Sequence, residues 1–375
     1  MTCQLFSRVN GHRNRGSSVH HSIRSLLLIA AAVLSPALLS AQETPPPPVP
    51  PEVNETAATE SLTLGAATAE TAIREIIPQN VSASHSWNPG YWIVSTHRLS
   101  QSFDGRCPAF CPGVTRYDEG AGCRSSSLAE LSGSLVPGLP VCIVVHGSFV
   151  DWESVCSESL CTYRWLQNAD PHVPMQMIYL TWPSNESITP FIQFDIAILG
   201  RRAARNGCYL ADLVQYLPPE SPICMVGHSH GTRVVASSLH ILAGGTVQGC
   251  FHPSARSTGR RIRSVMFAAA VDHDWLNPGE RYDRALCSAE CLLNVRNALD
   301  PALLLYPARR PLSSRALGQS GFTSKDRTRL GGWSARVRDL DVTNLIGHGH
   351  FWPDYYSRPE IARSIRHYVY FTEGN

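Results

Sequence analysis

Gly227-His228-Ser229-His230-Gly231 stands between a continuous apolar run, Ile223 to Val226, and a stretch of helical character, Thr232 to Leu242. A serine flanked by glycines at a strand-to-helix junction needs a very tight turn. Side chains at the flanking positions would collide there, which is why both are glycine. The turn lifts the serine to the carboxyl edge of a sheet. It also sets it at a helix N-terminus, where developing negative charge is favoured. The same pentapeptide without those neighbours would read as an ordinary glycine-rich turn. With them, Ser229 is the candidate nucleophile.

The rest of the chain supplies a sheet to carry such a turn. Strands are expected at Tyr91–Thr96, Val141–Val145, Met177–Leu180, Ile223–Val226, Val265–Ala269, Leu292–Arg296 and Arg338–Val342. Helices are expected at Phe191–Leu217, His230–Leu242 and Pro359–Phe371. Uninterrupted apolar runs such as Cys142 to Val145 suit strands buried on both faces. The alternation predicts an α/β fold, a mostly parallel central sheet with helices on both faces.

Ahead of this region the chain changes character. Arg8, Arg13, Arg15 and Arg24 precede an apolar run, Leu26 to Leu39, and small residues at Ser40 and Ala41. The run is shorter than the ~20 residues of a spanning helix, so residues 1–41 read as a cleaved secretory signal, with an uncleaved anchor as the rival. Thr44 to Val53 is proline-rich, and residues 42–86 read as a tether to a catalytic domain at 87–375. The expectation is an exported protein with no integral membrane span once the signal is removed. Of 32 basic and 30 acidic residues, those four arginines lie in the leader, so the remainder is close to neutral. Nothing in that balance calls for nucleic acid, and no partner protein is implied.

Export gives the 12 cysteines a meaning. Cys142 and Cys224 sit within strand-like runs as small core residues. Cys107, Cys111 and Cys123, then Cys156 with Cys161, then Cys287 and Cys291, are expected to supply local disulfides rather than metal ligands.

A serine hydroxyl needs a base, and the base needs an orienting acid. Behind a serine elbow these follow in the order acid, then histidine. His348 and His350, in Gly347-His348-Gly349-His350-Phe351-Trp352, are the candidate bases. His348 is preferred, because glycines on both sides give its loop freedom, and His350 is the alternative. Asp300, after the strand ending at Arg296, leads as the acid; Asp272 and Asp274 follow the preceding strand. Val144 to Phe149 ends an early strand with His146-Gly147, so Ser148 or Phe149 is expected to give one oxyanion N–H and His230 the other.

From about Tyr91 onward the sequence resembles the uncharacterised bacterial esterase- and lipase-like α/β-hydrolases grouped as a domain of unknown function. The resemblance is carried by Tyr91–Leu99, Val144–Gly147, Thr181-Trp182-Pro183-Ser184, Asp195, the serine elbow, Ala268–Asp272, Asn297–Leu303, Ala316-Leu317-Gly318 and Asp341-Val342-Thr343. At position 230 the chain has His where that family commonly has Met. The resemblance implies an α/β-hydrolase fold, puts the acid at Asp300 and, aligned without gaps, the base at His348. The common Gly-x-Gly-His-Phe ending of other α/β-hydrolases would choose His350.

The chemistry expected is hydrolysis of a carboxyl ester, on a small molecule or a lipid, through an acyl-enzyme and without a cofactor. Amide or thioester cleavage by the same groups, and a binding module that has lost turnover, are the alternatives. Trp182, Phe191, Phe194 and Phe351 are candidates for an acyl pocket, or ordinary core aromatics.

Overall fold

Nine strands form one sheet in a computed structural model, which describes residues 89–101, 110–185, 192–252, 259–309 and 313–372. The strands are β1 (Gly90–Ser95), β2 (Gly113–Asp118), β3 (Gly122–Ser126), β4 (Val141–Val145), β5 (Gln176–Thr181), β6 (Ile223–His228), β7 (Ile262–Phe267), β8 (Cys291–Arg296) and β9 (Val337–Asp341). Their order across the sheet is β3-β2-β1-β5-β4-β6-β7-β8-β9. From β1 to β9 every pairing is parallel, and β2 and β3 add an antiparallel hairpin at one edge. The expected leader and tether lie outside the described residues.

The helices that matter here are α1 (Leu128–Ser134), α2 (Trp152–Gln167), α3 (Ile192–Gln215) and α4 (Gly231–Leu242). After them come α5 (Ala285–Ser288), α6 (Pro301–Leu304), α7 (Leu317–Ser320), α8 (Ser324–Leu330), α9 (Thr343–Ile346), α10 (Trp352–Tyr356) and α11 (Pro359–Tyr370). Alternate side chains of one strand enter two separate apolar layers, as the two-residue period of a strand requires. Ile143, Val145, Ile178 and Met225 pack with Leu210, Val234 and Val235 of α3 and α4. Cys142, Val144, Tyr179 and Val226 pack with Leu166, Trp352 and Ile365 of α2, α10 and α11. Helices therefore cover both faces, and the central strands read as apolar throughout because neither face meets water.

The cysteine expectation needs correction. Cys156 and Cys161 are not joined, and Cys111, Cys123, Cys287 and Cys291 are also thiols. Both Cys156 and Cys161 lie on α2. Five residues along a helix separate two α-carbons by about 8 to 9 Å on nearly opposite faces, beyond the ~7 Å a disulfide can bridge. Cys107 lies outside the described residues. Cys142 and Cys224 are fully buried and face each other in register across β4 and β6. Among the described residues no helix is long and apolar enough to cross a membrane.

Candidate active site

β6 ends at His228 and α4 begins at Gly231, so Ser229 and His230 form the whole turn. Ser229 has φ of +50°, the left-handed region that non-glycine residues rarely enter. A hydrogen bond from its N–H to Phe267 O, 2.9 Å, fixes that conformation. The glycines are required for space. A β-carbon on Gly231 would lie 2.3 Å from Val145 O, and one on Gly227 2.8 Å from Thr232 Cα. Both obstacles are backbone and cannot swing away.

Asp300 and His350 meet 50 residues apart in sequence, with His350 Nδ1 2.6 Å from Asp300 Oδ2. Asp300 is the N-cap of α6, its Oδ1 accepting from the N–H groups of Ala302 (3.0 Å) and Leu303 (3.1 Å). Asp-Pro at this point is the sequence of a helix start, a capping carboxylate followed by proline in the first turn. Capping holds one oxygen, so the other is aimed. The carboxylate is fully buried, and the His350 side chain is 14% exposed.

Several contacts fasten the His350 loop. His228 Nε2, on the residue before Ser229, lies 2.7 Å from His350 O, and the two rings are 5.5 Å apart. Because that partner is a carbonyl, His228 is the donor. Burial pushes the His228 pKa down to about 3, so the ring stays neutral and adds no charge beside His350. Asn297, fully buried, donates from Nδ2 to Gly347 O (2.8 Å) and Gly349 O (3.0 Å). Trp352 Nε1 donates to Thr162 Oγ1 of α2 at 2.8 Å, and its ring packs edge-on against Phe267 and Trp165. With Nδ1 bonded to Asp300, Nε2 is the nitrogen His350 has left to offer.

His348 lies elsewhere. It is exposed, and its Nδ1 is 3.3 Å from Leu299 O, with no contact to Asp300. The geometry thus gives Asp300 to His350, the reverse of the sequence preference. Asp272 is also turned away. It is buried, accepts from Tyr306 Oη at 2.8 Å and pairs with Arg309. Asp274 accepts from Ser314 Oγ at 3.1 Å.

The loop after β4 approaches the elbow closely. A β-carbon on Gly147 would stand 3.0 Å from Ser229 Cβ and 3.0 Å from His228 Nδ1. Of the two expected donors on this loop, Phe149 is committed. Its φ is +63°, and its N–H donates to Ser184 O at 2.6 Å. The Ser148 and His230 N–H groups have no acceptor among the described residues. His146 braces the loop from behind, Nδ1 donating to Gly147 O at 2.8 Å while Nε2 lies 2.8 Å from Thr181 Oγ1. Burial pushes its pKa down to about 4. Trp182 is fully buried, stacks on that ring and donates from Nε1 to His146 O at 3.0 Å. It is a buried brace of the loop after β4, not a pocket lining. Phe351 lies edge-on to His350, and the side chains of Phe191 and Phe194 lie outside the described residues.

The electrostatics of His350 set a pH dependence. Burial alone would lower its pKa, but the charge and hydrogen bond of Asp300, with Asp354 behind, outweigh it and raise it. A raised pKa keeps the ring protonated at pH values where a free imidazole would already be neutral, and a protonated ring cannot act as base. The acid limb of a kcat/KM profile is therefore expected above pH 6.5. A limb below that value would contradict the charge balance found at His350.

No group of three or more His, Cys, Asp or Glu side chains is placed to hold a metal ion among the described residues. No family model matches the chain, and no curated protein does. Among solved structures it is similar to a novel cutinase-like protein from Cryptococcus sp., at 13% identity over 62% of this chain and 93% of that one, TM-score 0.28. It is similar also to an acetyl xylan esterase, at 11% identity over 61% of this chain and 91% of that one, TM-score 0.26. At such scores neither neighbour decides this chain's chemistry. The strand order, the covered faces and the serine elbow are those of an α/β-hydrolase fold.

Proposed function

We propose that the chain is an exported serine hydrolase that cleaves carboxyl esters through an acyl-enzyme on Ser229. The observation that carries this reading is the 2.6 Å contact between His350 Nδ1 and Asp300 Oδ2, on a loop tied by His228 to the serine elbow. Ser229 Oγ attacks the ester carbonyl while His350 Nε2 takes its proton. Asp300 holds the ring and offsets its new charge. The Ser148 and His230 N–H groups receive the oxyanion, where water-excluded donors are worth most. The imidazolium then gives its proton to the departing alcohol, leaving the acyl group on Ser229. Water repeats the sequence, giving its proton to His350 and releasing the acid. No step needs a metal or organic cofactor.

The substrate class proposed is a small-molecule or lipid ester, with amide or thioester cleavage as the second reading of the same groups. Purified protein should be assayed on p-nitrophenyl esters of graded chain length, beside the matching anilide and thioester. Ester turnover well above the anilide is expected. Turnover confined to the anilide or thioester would replace the proposed bond, and none on any of them would remove the enzymatic reading.

A further inference from the structure

His230 carries a buried ring nitrogen that no group among the described residues satisfies. Its Nδ1 lies 2.7 Å from Ser148 Oγ, while Nε2 is buried with no hydrogen-bond partner among the described residues. A buried polar atom left in this way normally costs stability, so its environment carries information. A β-carbon on Gly200 of α3 would meet Arg233 Nη1 at 2.0 Å and His230 Nε2 at 3.5 Å, so both groups press against the same face of that residue. Arg233 is locked there, Nε donating to Ala270 O at 2.7 Å and Nη2 to Tyr306 Oη at 2.9 Å.

The guanidinium decides where the imidazole keeps its proton. Arginine is always a cationic donor. An N–H on Nε2 would turn its positive end toward that cation, whereas a bare Nε2 turns a lone pair toward it. Burial first, and then the charge of Arg233, hold the His230 pKa well below the ordinary histidine value, so the ring has one proton only. That proton belongs on Nδ1, and Nδ1–H donates to Ser148 Oγ. Ser148 then has an accepted hydrogen bond and its own hydroxyl hydrogen still to give. No acceptor for it exists among the described residues. The backbone N–H groups of Ser148 and His230 also have no acceptor among the described residues.

We infer that the Ser148 hydroxyl is a third donor to the oxyanion and that the His230 side chain is the positioning residue that keeps it donating. Ser148 is thereby a catalytic residue twice over, through its N–H and through its hydroxyl. This rests on the acyl-transfer reading above. With the other tautomer, the Ser148 hydrogen would be spent on His230 and lost to the reaction.

The test uses the full mature chain with p-nitrophenyl butyrate and a fluorophosphonate. Loss of one oxyanion donor typically lowers kcat by roughly 10²-fold. Ser148→Ala is expected to lower kcat by about that factor with KM within about threefold, while prolonged incubation still labels Ser229 completely. His230→Phe is expected to show the same split, and His230→Gln, whose amide can donate to Oγ, to recover much of the loss. Ser148→Ala/His230→Phe is expected to be no slower than Ser148→Ala alone, because His230 acts through that hydroxyl. A Ser148→Ala enzyme within threefold of wild-type kcat would overturn the inference, whether or not the His230 variants fold. So would a full additional loss from His230→Phe in the Ser148→Ala background. A wild-type protein that neither turns over the ester nor labels would instead remove the underlying acyl-transfer reading.

Discussion

Replacing His350 by alanine is expected to lower kcat/KM for ester hydrolysis by about 10⁴-fold or more, while His348→Ala stays within about threefold of wild type. The asymmetry follows from Asp300. Its Oδ1 is fixed by the first N–H groups of α6, so Oδ2 has one direction to point, and His350 occupies it at 2.6 Å. Removing that imidazole takes away the base and leaves a buried carboxylate without its partner, so some loss of stability accompanies the loss of rate. Among the described residues His348 forms only a long contact to Leu299 O at the surface. Steady-state assays of both variants, with circular dichroism to establish folding, separate the roles. Loss confined to His348→Ala would move the base to that residue and leave Asp300 paired with a histidine of another purpose.

The ambiguity between these two histidines shows what local sequence carries and what it lacks. Flanking glycines at 347 and 349 suggested freedom to place His348, whereas the bulky Phe351-Trp352 pair directly follows His350. Anchoring is what a catalytic histidine needs, since a ring held by its neighbours loses no orientation in the reaction. The anchors themselves were invisible in one dimension. Trp352 reaches Thr162 of α2, and Asn297 reaches two carbonyls about fifty residues away. Asn297 stood within the motif that carries Asp300, and its place just after a strand was the available signal.

The central strands were legible because burial on both faces leaves uninterrupted apolar runs, and β4 was expected with the bounds observed. The long helices α3, α4 and α11 were legible within a few residues at each end. The hairpin of β2 and β3 was not expected, since an edge hairpin half in water carries a polar sequence, with Arg116 pairing Asp118 at 2.8 Å and lying over Trp92. Reading Cys156 and Cys161 as a disulfide hid α2, whose start is marked by Asp151 capping Ser154 N at 2.8 Å. The loop after β4 was read in sequence as the candidate oxyanion loop, but the left-handed turn at Phe149 and its bond to Ser184 depend on the neighbouring β5 loop. Such a long-range bond leaves no mark on the residues around Phe149.

Ser229 is where the account can be tested most sharply. Its φ of +50° is held by the Phe267 carbonyl and by two glycines whose β-carbons would strike backbone. A strained turn of this kind persists only where the surroundings impose it, and it presents the hydroxyl at the start of α4. Ser229→Ala removes one oxygen and should leave the packing intact, yet it is expected to lower kcat by about 10⁴-fold or more. The decisive measurement is intact-mass spectrometry after incubation with a fluorophosphonate. Wild type is expected to gain one phosphonyl group per chain, mapped by peptide analysis to Ser229, and Ser229→Ala to gain none while unfolding at an unchanged temperature. Equal labelling of the alanine variant, or a wild-type adduct on any other residue, would contradict the claim that this elbow carries the nucleophile.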